Sequence, residues 1–138
     1  MKKRYELSEE QIDTLVDEFV KEFPKGVVLL KGDLATGKTT LVKAFAKKLG
    51  ITKDVTSPTF SLQHIYSDGL YHYDLYNKGL EHFLSLGMLE ELEKDGLHFV
   101  EWGDKYLENL LIDAGIDVAT IDINKIAFDK REYVVCIH

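Results

Sequence analysis

The chain has little of what would cross-link it, anchor it in a membrane or draw it to nucleic acid. Its 138 residues include a single cysteine, Cys136, so no internal disulfide can form, which fits a reducing compartment. Cys136 is expected as a small buried residue in the last strand. No Cys/His spacing suggests zinc. The longest apolar runs are strand-length and no signal peptide is visible, so no membrane is involved and the expected location is cytoplasmic. Basic charge is scarce: 17 Lys and Arg face 24 Asp and Glu, a net charge of −7. The longest basic run is Lys2-Lys3-Arg4. A surface of that sign argues against autonomous nucleic-acid binding, because phosphates require a basic partner. Internal repeats, linkers and low-complexity segments are also missing. What remains is ordinary, with 45% hydrophobic and 30% charged residues. Residues 1–138 are therefore read as one domain, long enough to bury a core without disulfide or metal.

Against this background Gly32-Asp33-Leu34-Ala35-Thr36-Gly37-Lys38-Thr39 stands out. It matches the phosphate-binding pattern G-x-x-x-x-G-K-[ST]. Val27-Val28-Leu29-Leu30 before it reads as a buried strand, and Leu41 to Leu49 after it as an amphipathic helix closed by Gly50. Strand, glycine loop and helix N-terminus form an anion site, in which backbone N–H groups and the helix dipole meet phosphate oxygens. Lys38 supplies a point charge to the β- and γ-phosphates and the Thr39 hydroxyl a ligand for Mg²⁺. The expected ligand is a nucleoside triphosphate.

The remaining pattern alternates strands and helices. Lys3 to Leu7 reads as a strand, and Ser8-Glu9-Glu10-Gln11 as a capping box opening a helix with Ile12, Leu15, Val16, Phe19, Val20 and Phe23 on one face. Residues 60–66 and 70–73 read as a hairpin around Asp68-Gly69. A helix over 79–92 is broken at Gly87, a buried strand covers 97–100, a short helix 104–111, and the tail holds two strands with a turn near Asp129-Lys130. The fold expected is α/β, a P-loop NTPase-like three-layer sandwich on a mixed, mostly parallel sheet.

A triphosphate site needs carboxylates, and two stand at predicted strand ends: Asp74 after Leu70 to Tyr73, and Glu101 after Leu97 to Val100. Either alone could simply cap the next turn. With the phosphate loop present, at least one is a metal-side acid. Trp102 is either core or a lining of the nucleotide site or a partner surface. His72 and His98, inside predicted strands, read as structural. Ser57-Pro58-Thr59, two hydroxyls around a rigid proline after the phosphate-loop helix, form a candidate switch or partner segment.

Taken in order, these stretches resemble the bacterial TsaE (YjeE) family of small P-loop ATPases. The resemblance rests on Gly32 to Thr40, Val55-Thr56-Ser57-Pro58-Thr59-Phe60, Tyr71-His72-Tyr73-Asp74-Leu75-Tyr76, Leu86-Gly87 and Val100-Glu101-Trp102. It implies a cytoplasmic, Mg²⁺-dependent ATPase of tRNA threonylcarbamoyladenosine biosynthesis that works with the TsaD and TsaB proteins. It meets tRNA only indirectly and does not act on DNA. The resemblance implies that Lys38 holds phosphates, that Thr39 and Glu101 ligate Mg²⁺, and that Asp74 positions or activates the attacking water. It likewise places Glu10 near the nucleotide base and Arg131 near the nucleotide. Two departures stand out: Ala35-Thr36 where the family loop has Gly-Ala, and Asn77 where it has Arg.

Rival readings use the same loop. A small-molecule kinase needs an arginine-rich lid, and this chain has only Arg4 and Arg131. A regulatory GTPase needs N-K-x-D, and Asn124-Lys125-Ile126-Ala127 lacks the aspartate. A nucleotide-gated binding module with incidental hydrolysis shares every site residue with the ATPase.

Overall fold

Four consecutive residues, Val27 to Leu30, are completely buried in the strand Gly26–Lys31. Val28 and Leu30 face one apolar cluster, Val27 and Leu29 another. A strand that is apolar on both faces belongs inside a sheet covered by helices on both sides. The computed structural model describes residues 2–32, 37–51, 63–67, 69–75 and 79–138.

Seven strands run in chain order: β1 (Lys2–Leu7), β2 (Gly26–Lys31), β3 (Gln63–Ser67), β4 (Leu70–Asp74), β5 (Leu97–Glu101), β6 (Val118–Ala127) and β7 (Lys130–Ile137). They form one sheet in the order β1-β7-β6-β2-β5-β4-β3. The expected mixed sheet is present, though partly rather than mostly parallel: among the described residues three pairings are parallel and three antiparallel. Its parallel part is the centre, where β2 pairs with β5 and β6, and β4 with β5. Both flanks are antiparallel, because β3–β4 and β6–β7 are joined by tight turns that permit no crossover, and β1 adds to β7.

One face carries α1 (Ile12–Glu22) and α2 (Lys38–Lys48). The entry to α1 follows its capping pattern: a short 3₁₀ turn, Glu9–Gln11, precedes it, and the Ser8 N–H donates to Gln11 Oε1 at 3.0 Å. Phe45 joins this layer to the sheet, with its ring 5.5 Å from Phe19 and 4.8 Å from Phe99. On the opposite face α3 (Gly79–Ser85) contributes Phe83, and α4 (Lys105–Asp113) contributes Leu107 and Leu111. The result is the three-layer α/β sandwich. The break expected at Gly87 is real: α3 stops at Ser85, Gly87 has φ +71°, and only a 3₁₀ turn, Glu90–Glu93, follows. Cys136 differs from expectation, being half-buried in β7. Tyr133 and Val135 take the core face, so the alternating pleat points Cys136 to the other side.

Candidate phosphate-binding edge and cleft

α2 begins beyond the C-terminal end of β2, with Gly37 as its N-cap at φ +103°. That left-handed turn is one a side chain adopts at a cost. The Gly37 carbonyl accepts the first helical bond from Leu41 N at 3.0 Å, so the positive end of the helix dipole meets the C-terminal edge of the sheet. Open α/β sheets collect their ligands at this edge.

The first helical residue, Lys38, is only 5% exposed. Its ammonium donates to the Gly32 carbonyl at 2.8 Å, lies 3.8 Å from Glu101 Oε1, and sits over the Trp102 ring at 3.9 Å from the centroid. Glu101, the last residue of β5, is also buried. Asp74 is its partner in the β4–β5 register, and the Leu75 N–H donates to the Glu101 carbonyl at 3.1 Å, carrying the ladder past both acids. Residues in register on neighbouring strands share a face, so Asp74 and Glu101 stand side by side toward α2. Thr39, next to Lys38, is half-buried. Trp102 has φ +64° and packs against the α3–α4 cluster while its ring covers Lys38. It is thus a partial core residue and a wall of this site together.

The two strand histidines part company here. His98 is structural: its Nε2 faces the Lys94 carbonyl at 2.7 Å, Tyr73 Oη meets Nδ1 at 2.8 Å, and Tyr71 stacks on the ring at 4.2 Å. Burial pushes its imidazole below the usual histidine value. His72 is equally buried, but its Nε2 lies 2.5 Å from Glu101 Oε2. It is buried and partnered as a structural strand histidine is expected to be, and it also stands two residues before Asp74, on the same face of β4.

Beside the first turn of α2 opens a cleft of about 860 Å³. Glu10 reaches it from the turn before α1, Gly37 and Thr40 from α2, and Phe128 and Arg131 from the β6–β7 hairpin. The first strand and the last hairpin, far apart in sequence, are brought together there by the β1–β7 pairing. Phe128 was missed by sequence reasoning. It is 93% exposed at the hairpin tip, and an aromatic inside a polar turn was its one signal. Asp33, Leu34, Ala35 and Thr36 of the loop, the Ser57, Pro58 and Thr59 segment, and Asn77 lie outside the described residues.

A lysine-led helix, opened by a left-handed glycine at the edge of a parallel sheet, defines a P-loop protein. Comparisons with known proteins narrow the class. The profile of the family described as "Threonylcarbamoyl adenosine biosynthesis protein TsaE" matches residues 7–133. A Treponema pallidum protein named tRNA threonylcarbamoyladenosine biosynthesis protein TsaE is 38% identical over 112 residues, 79% of this chain and 80% of that protein. The Bacillus subtilis protein of the same name is 44% identical over 90 residues, 63% of this chain and 56% of that protein. The Rickettsia prowazekii one is 33% identical over 120 residues, 83% and 78% of the two chains. The crystal structure of B. subtilis YdiB superposes with a TM-score of 0.71 at 29% identity, covering 100% of this chain and 87% of that one. The chain belongs to the TsaE family.

Proposed function

We propose that this protein is the ATP-binding and ATP-hydrolysing subunit of tRNA N6-threonylcarbamoyladenosine formation, a one-domain cytoplasmic protein acting with TsaD and TsaB. The observation that supports it most is the buried Lys38 ammonium, held between the Gly32 carbonyl and the Glu101 carboxylate on a helix turn whose Gly37 and Thr40 line an open cleft. A nucleotide lying along the first turn of α2 would put its phosphates at Lys38 and its nucleoside in the cleft between Glu10 and Arg131. The volume suits it, since small-molecule sites run to about 300–1,000 Å³. Among the described residues no helix is long and apolar enough to cross a membrane.

Mg²⁺ fits this edge. Thr39 and Glu101 offer a hydroxyl and a carboxylate, the hard oxygen donors that Mg²⁺ takes together with phosphate oxygens. Thr39 and Glu101 would hold the ion, which when bound neutralises phosphate charge. Lys38 would bind the β- and γ-phosphates, and Asp74 would orient the attacking water and accept its proton.

The deciding experiment reconstitutes tRNA threonylcarbamoylation without this protein and then adds back wild-type, Lys38→Ala and Asp74→Ala forms, with ATP turnover measured in parallel. Wild-type protein restores repeated turnover, and its ATPase rises at least about tenfold when TsaD and TsaB are present, because the chain brings few cations of its own to the transition state. Lys38→Ala weakens nucleotide binding roughly ten- to hundredfold. Asp74→Ala binds nucleotide but loses about a hundredfold or more in turnover. Equal ATPase rates with and without partners would overturn the partner dependence. Normal hydrolysis by Asp74→Ala would remove its catalytic role. Modification that proceeds without hydrolysis would make the chain a nucleotide-gated module.

A further inference from the structure

Glu101 has two carboxylate oxygens in two different environments. Oε1 lies 3.8 Å from the Lys38 ammonium, while Oε2 lies 2.5 Å from His72 Nε2. A carboxylate oxygen can only accept, so the hydrogen of this contact is on Nε2. In the neutral ring Nδ1 is then the acceptor, and the Tyr66 hydroxyl meets it at 3.2 Å. Both rings are buried, Tyr66 at 4% exposure and His72 at 0%. The three side chains come from three adjacent strands, Tyr66 on β3, His72 on β4 and Glu101 on β5, so the chain of contacts is fixed by the sheet. Register explains the alignment: His72 is paired with Phe99 and Asp74 with Glu101, which puts His72 and both acids on the α2 face.

We infer that His72, oriented by Tyr66, is a positioning residue for Glu101. It occupies Oε2 so that Oε1 alone is presented toward Lys38 and toward a divalent cation at Thr39. The inference rests on the proposed nucleotide site and assigns it a relay of two further residues. A buried carboxylate must have its lone pairs met, and one left without a donor re-aims or takes up another partner. Groups that hold a metal-side ligand in this way contribute to metal affinity without touching the metal. Asp74, half-buried on the same strand, cannot replace His72, since a carboxylate has no hydrogen to donate to Oε2.

The test measures Mg²⁺ titrations of the binding of a non-hydrolysable ATP analogue by calorimetry, so that hydrolysis plays no part. His72→Phe removes the donor and keeps a ring. His72→Gln restores an N–H near the Nε2 position. Tyr66→Phe removes only the hydroxyl. His72→Phe is expected to raise the half-saturating Mg²⁺ concentration by about tenfold or more, with analogue affinity in excess EDTA unchanged. His72→Gln should recover most of that loss, and Tyr66→Phe should show a smaller shift in the same direction. A merely structural histidine would lower the melting temperature and leave the Mg²⁺ midpoint of the folded protein where it was, which would overturn the inference. If His72→Phe does not fold, Tyr66→Phe decides, and an unchanged midpoint in that variant counts against the relay. Wild-type binding that does not respond to Mg²⁺ would instead refute the nucleotide–Mg²⁺ reading beneath it.

Discussion

Trp102 has the one positive φ, +64°, found outside glycine among the described residues. A bulky side chain in that region costs about 1–2 kcal/mol and persists where the surroundings fix it. The turn follows Glu101 immediately and lays the indole over the Lys38 ammonium. The Gly32 carbonyl, Glu101 and the Trp102 face are therefore among the neighbours that compete for the Lys38 charge. Phosphate drawn to Lys38 must weaken the other contacts, and the single tryptophan of the chain reports it. Titrating ATP into the wild-type protein should shift or change the intensity of Trp102 emission. In Lys38→Met the starting spectrum should already differ, and the nucleotide response should largely vanish. Identical spectra and responses in the two proteins would show that the indole does not sense the lysine.

Single elements owe their positions to a few close approaches. Gly96 stands before β5 at φ +121°, and a Cβ there would lie 2.5 Å from Gly69 Cα and 2.6 Å from its carbonyl oxygen. The same Gly69 carbonyl accepts from Leu97 N at 2.8 Å, so at this end the β3–β4 hairpin is seated on β5 through close backbone contact. Gly96→Ala should lower stability by about 3 kcal/mol or more, combining the wrong φ with a backbone clash. Gly69→Ala shares a positive φ but meets open space, so it should cost only about 1 kcal/mol. Urea midpoints distinguish these values, and equal losses would refute the close approach.

The same elements show what local pattern reveals. The capping box at Ser8, the Gly37-Lys38 turn into α2, the alternation of β3 and β4 and the apolar run of β2 are local signals. Among the described residues these elements overlap the stretches expected, with β3 at Gln63–Ser67 where a strand over 60–66 is expected and 60–62 outside the described residues. The placement of β1 beside β7, which closes the cleft between Glu10 and Arg131, depends on pairing across nearly the whole chain and leaves no local mark. His72 is the same case at the site. As a histidine in a strand it reads as core, and only the β4–β5 register brings Glu101 to it. Cys136 shows the reverse, since its strand was legible and its face was set by Tyr133 and Val135 turning inward.

For the molecule as a whole, the net charge is −7, and part of its positive charge is already paired. Lys3 pairs with Glu18, Arg4 with Glu6 and Glu132, Lys25 with Asp95, Lys48 with Asp17, Lys94 with Glu91 and Lys105 with Glu108. Each exposed pair contributes little to stability, but together they tie these six cations to local carboxylates. Lys38 is buried at the candidate site and contributes no outer surface. Binding a tRNA backbone means neutralising several phosphates at once, and its affinity then falls steeply as salt rises. This chain alone should therefore bind tRNA more weakly than about 10 µM at physiological salt, near or below the level of non-specific binding, with a shallow salt dependence. Fluorescence anisotropy with labelled tRNA measures both. Adding TsaD and TsaB should create salt-sensitive tRNA binding that depends on them, while Lys38→Ala leaves the weak binding of the isolated chain unchanged. Tight, salt-sensitive binding by the chain alone would move tRNA contact from the partners to this protein.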